Sequence, residues 1–173
     1  HQRGPFLLAV SRWVDYKRLD LAIRVASELG VTLVMAGGGP AERMLRALAI
    51  ECGANVQWIV DPTDLELRDL YRTAAALIFP AEEDFGIIPV EAQACGTPVV
   101  ALARAGTAET VVDGVSGLLV DDQTVPAFAD ACSAAMVESR SKWAEGCRDS
   151  AERFSQDRFS EALLAWVNAE VAQ

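Results

Sequence analysis

Two carboxylates with seven residues between them, Glu83 and Glu91, mark the stretch of the chain richest in potential chemistry: Phe79-Pro80-Ala81-Glu82-Glu83-Asp84-Phe85-Gly86-Ile87-Ile88-Pro89-Val90-Glu91. Three consecutive acids precede a helix start that carries Pro89 in its first turn. Their plainest use is capping, with Asp84 and its neighbours complementing the helix dipole. Capping leaves Glu91 unexplained, because it falls about one turn into the helix beside apolar neighbours, where a carboxylate is costly without a partner. A vicinal diol such as ribose is a suitable partner, since two carboxylate oxygens accept from two adjacent hydroxyls at once. Glu83, on the loop before the same helix, can accept from sugar hydroxyls, and the N–H groups of Phe85, Gly86 and Ile87 face the same space.

Cations gather elsewhere, in Ser11-Arg12-Trp13-Val14-Asp15-Tyr16-Lys17-Arg18, between a strand and a helix start. Arg12 and Lys17 there could add charge-assisted bonds to a pyrophosphate already favoured by the helix dipole; the plain alternative is a solvated basic loop. A third feature, Ala36-Gly37-Gly38-Gly39-Pro40, lets backbone approach a ligand closely. Such a turn also joins strands to helices without any ligand, and its spacing is neither that of a dinucleotide fingerprint nor that of a P-loop.

The elements that position these residues are legible as apolar runs. Phe6–Val10, Val31–Ala36, Asn55–Val60, Ala75–Phe79, Pro98–Leu102 and Gly117–Val120 lack polar alternation, as expected of about six strands covered on both faces. Between them, Leu19–Leu29 places Leu19, Ala22, Ile23, Ala26 and Leu29 on one helix face, with Gly30 as a stop. Further helices are expected over Pro40–Cys52, over Asp64–Thr73 with Asp64 as its cap, and from Ile87 to just before Gly96. Beyond Val120, helices are expected over Val125–Val137, Lys142–Phe154 and Gln156–Val171. Strand and helix alternation with short turns predicts an α/β fold: one domain over residues 1–173, a doubly wound, Rossmann-like parallel sheet with helices on both faces. Ligands of such sheets sit outside the carboxyl ends of the strands, which is where all three chemical features fall.

Composition removes several classes of function. With 51% apolar and 23% charged residues the chain is a globular domain rather than a disordered one. A net charge of −10 argues against nucleic acid as a partner, so any phosphate must be met by local cations. No run approaches the roughly eighteen apolar residues of a membrane span, and the start lacks the apolar core of a signal peptide, which makes the cytoplasm the expected compartment. Cys52, Cys95, Cys132 and Cys147 have no paired spacing and read as reduced packing residues. His1 is the only histidine, which removes a histidine base or ligand from consideration.

The stretch Glu83-Asp84-Phe85-Gly86-Ile87-Ile88-Pro89-Val90-Glu91-Ala92-Gln93-Ala94-Cys95-Gly96-Thr97-Pro98-Val99-Val100 resembles the E-x7-E signature of family 4 retaining glycosyltransferases of the GT-B type. The other features follow in order. Arg12 and Lys17 resemble that family's R-x4-K, Gly37-Gly38-Gly39-Pro40 its G-x-G-P turn, and Glu109 to Val120 its E-x-V-x-x-G-x-x-G-x-L-V. The resemblance covers nearly the whole chain and implies the C-terminal half of a GT-B fold. It departs from the pattern at Asp84 and Val60, where glycine is usual.

On that resemblance, Arg12 and Lys17 neutralise the diphosphate of a nucleoside-diphosphate sugar, Glu91 binds its ribose and Glu83 contacts its hexose. Phe85, Gly86 and Ile87 offer backbone donors, Gly38 lies at the glycine turn, and the base rests near Ile59 and Val60. Of these, Glu83, Arg12 and Lys17 would carry the catalytic role: the cations stabilise the departing diphosphate while Glu83 positions the sugar. The resemblance also implies a metal-independent reaction without cofactor, transfer to an acceptor hydroxyl with retention, and a separate N-terminal domain, absent here, that supplies the acceptor site. An isolated donor half is then expected to bind donor without completing the reaction. The acidic form of the loop is similar to that of mannosyltransferases of polysaccharide or glycolipid assembly, which points to GDP-mannose, with UDP-sugars next. Peripheral membrane contact by the complete enzyme is compatible with this reading. The alternatives are half of a nucleotide-sugar epimerase, which needs further acid and base groups, and a non-catalytic nucleotide-binding module. A flavodoxin-like or dinucleotide-binding regulator would need a different loop after the first strand.

Overall fold

The computed structural model describes residues 4–138 and 140–171; the expectation concerning His1 lies outside them. Six strands, β1 (Phe6–Arg12), β2 (Thr32–Gly38), β3 (Val56–Val60), β4 (Ala76–Phe79), β5 (Val99–Leu102) and β6 (Gly117–Val120), form one all-parallel sheet in the order β3-β2-β1-β4-β5-β6. This is the doubly wound order, and the direction of winding reverses between β1 and β4.

Alternate residues of each buried strand feed two separate cores. Leu7, Ala9, Leu33, Met35, Ile78, Val100 and Leu102 pack on one face beneath α1 (Leu19–Leu29), α2 (Glu42–Cys52) and α6 (Val125–Val137). Leu8, Val10, Val34, Leu77, Phe79 and Ala101 pack on the other beneath α3 (Asp64–Thr73) and α4 (Ile87–Ala94). Because both faces are covered, the central strands carry no polar alternation. The edge strand β3 is less covered: none of its residues is fully buried, and Gln57 and Val60, on opposite faces, are exposed. A short helix α5 (Gly106–Thr110) follows β5, and α7 (Arg140–Glu152) packs against α4, burying Trp143 and Cys147. Cys52, Cys95, Cys132 and Cys147 form no disulfide among the described residues, and burial pushes the Cys132 thiol up to about 12.

Several boundaries differ from the sequence reading. β1 and β2 run two residues past their apolar cores, because Ser11 pairs with Gly37 and Arg12 with Gly38. The cap of α3 is Thr63, not Asp64: the Thr63 hydroxyl accepts from the N–H of Glu66, and Glu66 accepts from the N–H of Thr63 at 2.8 Å, a reciprocal capping box. The last helix, α8 (Gln156–Val171), occupies its expected span but buries none of its described side chains; Phe159 is 66% and Trp166 62% exposed. Among the described residues no helix is long and apolar enough to cross a membrane.

Candidate functional site

The carboxyl ends of β1, β2 and β3 open into a cleft of ≈ 450 Å³ lined by Ser11, Arg12, Gly37, Gly38, Asp61 and Pro62, with Leu67 of α3 and Ile88 and Glu91 of α4 as the far wall. That volume lies within the range of small-molecule sites. Three of the residues singled out in the sequence, Arg12, Gly38 and Glu91, therefore share one cavity. Gly37 and Gly39 serve a structural end instead. A Cβ on Gly37, at φ 138°, would stand 1.9 Å from the carbonyl oxygen of Ser11, and one on Gly39 would stand 2.5 Å from that of Trp13. Bare backbone at those two positions lets the turn after β2 pack on the end of β1. Gly38 lies on the cleft side, where a Cβ would come 3.1 Å from Asp61 Oδ1.

Lys17 and Glu83 do not line this cleft. Lys17 ends a single 3-10 turn (Asp15–Lys17) after β1, and Glu83 lies on the loop after β4, so the two stand on either side of the switch point. There they form an ion pair with each other, Lys17 Nζ to Glu83 Oε1, at 11% and 22% side-chain exposure. The loop carrying Glu83 is seated by α5: the Gly106 N–H donates to the Glu83 carbonyl at 2.8 Å, and a Cβ at Gly106 would collide with the Phe85 backbone at 2.4 Å. A strut crosses nearby, from the Arg18 guanidinium to Gln123 Oε1 and from Gln123 Nε2 to the Pro80 carbonyl at 2.8 Å. It ties the turn carrying Lys17 to the end of β4.

The N-terminus of α4 differs from the capping expectation. Gly86, at φ 83°, is the N-cap, and no side chain caps the helix. Asp84 is exposed and Glu83 is engaged by Lys17, and among the described residues no side-chain cap closes the start of α4. Half-exposed Phe85 packs edge-to-face on Phe154 at 5.4 Å, and Ile87 is exposed.

Two further expectations require correction. Glu91 is exposed, not desolvated among apolar neighbours. The buried polar residue of α4 is Gln93, whose Nε2 donates to the Pro89 carbonyl at 3.1 Å. The partner of Glu91 within the protein is Tyr71, whose hydroxyl donates to Glu91 Oε2 at 2.9 Å. Ile59 packs on the second core and Val60 is exposed, and neither lines the cleft. Asp61 and Pro62 reach it instead. Asp61 carries a positive φ of 48°, a conformation that costs a non-glycine residue about 1 kcal/mol or more. The rule that ligands gather beyond strand ends would have found Asp61, one residue past β3; Tyr71, inside a helix, had no such signal.

Fold and cleft together define a doubly wound α/β domain with a ligand-sized cleft at the carboxyl ends of its strands, the architecture of one half of a GT-B enzyme. Residues 1–154 match the family of glycosyl transferases, group 1, and the chain belongs to that family. It is 37% identical over 172 residues to a D-inositol 3-phosphate glycosyltransferase of Xylanimonas cellulosilytica, covering 93% of this chain and 41% of that protein. The identity is 35% over 166 residues to the protein of that name from Mycolicibacterium smegmatis, covering 90% of this chain and 38% of the other. The chain thus spans about two fifths of the length of the relatives it matches. Among solved structures, the pneumococcal O-GlcNAc transferase GtfA in complex with UDP and GlcNAc superposes with a TM-score of 0.85 at 19% identity, covering 99% of this chain and 37% of that one. Sucrose-phosphate synthase from Thermosynechococcus elongatus gives 0.87 at 23%, covering 97% and 46%.

Proposed function

We propose that this chain is the nucleotide-sugar-binding half of a retaining hexosyltransferase. The observation that carries the reading is the meeting of Arg12, Gly38 and Glu91 in one cleft, with the Lys17–Glu83 pair across the switch point. The base enters between Gly38 and Asp61-Pro62, the ribose diol meets Glu91, and the diphosphate runs past Arg12 toward Lys17 and the uncapped start of α4. Phe85, Gly86 and Ile87 offer N–H groups there, and Glu83 meets the hexose. Positive charge and the helix dipole stabilise the leaving diphosphate without a metal ion. Glu83 acts as a positioner, and the acceptor is held by an N-terminal domain that completes the enzyme. The reaction takes place on the cytoplasmic side and extends a polysaccharide or glycolipid.

A UDP-sugar is the first donor to test, because structures of this fold hold UDP with GlcNAc or with glucose. GDP-mannose is the second, on the acidic form of the loop at Glu83-Asp84. The deciding experiment is calorimetric titration of the chain with UDP, GDP and ADP in EDTA, repeated on Glu91→Ala. One nucleotide should bind without metal, and loss of a carboxylate that accepts from two hydroxyls should weaken it at least tenfold. Failure of all three to bind at millimolar concentration would sink the reading.

A further inference from the structure

The wall of the cleft behind Glu91 is built differently from its mouth. Tyr71 lies in the last turns of α3 with its ring buried in the second core, 3% exposed, among residues that include Leu77 and Ala92. Its carbonyl accepts from the buried hydroxyl of Thr97, just ahead of β5, so the residue is held at its backbone as well as at its ring. Its hydroxyl donates to Glu91 Oε2 at 2.9 Å. Glu91 itself is exposed and forms no ion pair among the described residues.

We propose that Tyr71 is a positioning residue: its hydroxyl fixes the carboxylate of Glu91 so that the free oxygen and the remaining lone pairs are presented to a vicinal diol in the cleft. The inference rests on the ribose reading of the cleft and adds a residue to it. An unrestrained glutamate must surrender its rotamer freedom when ligand binds. A glutamate tethered to a buried ring has surrendered it beforehand, which raises affinity for anything that needs both oxygens. A carboxylate has room for this, because its two oxygens offer about four acceptor positions and the phenol takes one. Burial first, and the charge of Glu91 next, raise the Tyr71 pKa far above the ordinary phenol value, so the group stays a donor and Glu91 stays the acceptor.

A purely structural role, in which Glu91 merely satisfies a buried hydroxyl, predicts something different, and titration distinguishes the two. The probes are UDP, GDP and ADP and the 2′-deoxy form of whichever binds tightest, on the wild type, Tyr71→Phe, Glu91→Ala and the double variant. Losing the preorganisation of one carboxylate side chain should lower affinity for the ribonucleotide about three- to tenfold. The deoxynucleotide, which cannot engage both oxygens, should change less than about twofold, so discrimination between the two sugars shrinks. Adding Tyr71→Phe to Glu91→Ala should have no further effect on nucleotide affinity. Equal losses for both sugars, or none, while Glu91→Ala still abolishes discrimination, would overturn the role of Tyr71 and leave the ribose reading standing. An inert Glu91→Ala, or no binding by any of the three nucleotides, would remove that reading and this inference with it. If Tyr71→Phe does not fold, para-aminophenylalanine at position 71 against para-fluorophenylalanine makes the same comparison, since both preserve size and only the first donates.

Discussion

Replacing Glu83 with glutamine should tighten binding of a nucleoside diphosphate, although Glu83 belongs to the proposed donor site. In the free protein the Lys17 ammonium is paired with Glu83, and in the proposed complex it serves the diphosphate. The pair keeps 11% and 22% of its side-chain surface, which places it between two regimes: an exposed pair contributes under about 1 kcal/mol, and removing a partner from a buried one costs about 3–5 kcal/mol. An intermediate net coupling of about 1–2 kcal/mol follows, or about five- to thirtyfold in an equilibrium constant. Recruiting Lys17 away from Glu83 subtracts that amount from the affinity, and Glu83→Gln returns it while preserving side-chain shape. The assay is calorimetry with the nucleoside diphosphate and with the corresponding nucleotide sugar, on Glu83→Gln, Lys17→Met and the double variant. Glu83→Gln should strengthen the diphosphate by up to thirtyfold on that scale, while eroding the extra affinity contributed by the hexose. In the Lys17→Met background the same change should leave diphosphate affinity unaltered. If Glu83→Gln weakens the diphosphate as much as Lys17→Met does, then Glu83 holds Lys17 in place instead of competing for it, and the reasoning fails.

Two further predictions concern the frame around the cleft. Gly37→Ala should cost more than about 3 kcal/mol in urea denaturation, combining the overlap with the Ser11 carbonyl and a φ that alanine resists; a loss below about 1 kcal/mol would mean that the ends of β1 and β2 move apart easily. The capping box should make stability depend on acid. The Glu66 carboxyl is held below its ordinary value, first by the Thr63 N–H and then by the Thr63 hydroxyl. A group with a depressed folded-state pKa stabilises above its unfolded value and loses that contribution as pH falls through the folded one. The stability advantage over Glu66→Gln should therefore shrink as pH falls below the ordinary carboxylate range; an advantage that grows in acid contradicts this.

What the sequence conveyed and what it withheld divide along physical lines. The sheet was legible because parallel strands buried on both faces must be continuous apolar runs, and because Gly30, Gly53 and Gly96 end the intervening helices where the chain must turn back. The helix α5 was not legible: its five residues carry no periodicity, and it starts from Ala105 at a φ of 49°, which no residue type announces. Glu91 shows the limit of judging burial from neighbours along the chain. Ile88, Pro89 and Ala92 surround it in sequence, yet Ile87, Glu91 and Ala94 share the solvent side of α4 while Pro89, Ala92 and Gln93 turn inward. The residue expected to need a partner because of its apolar neighbours has one although it is exposed. Tyr71 and Glu91 are brought together only when α3 and α4 pack side by side on the same face of the sheet. A carboxylate whose orientation is fixed by a buried phenol on an adjacent helix is a property of the doubly wound topology, since that topology lays consecutive crossover helices against each other beside the strand ends where ligands collect.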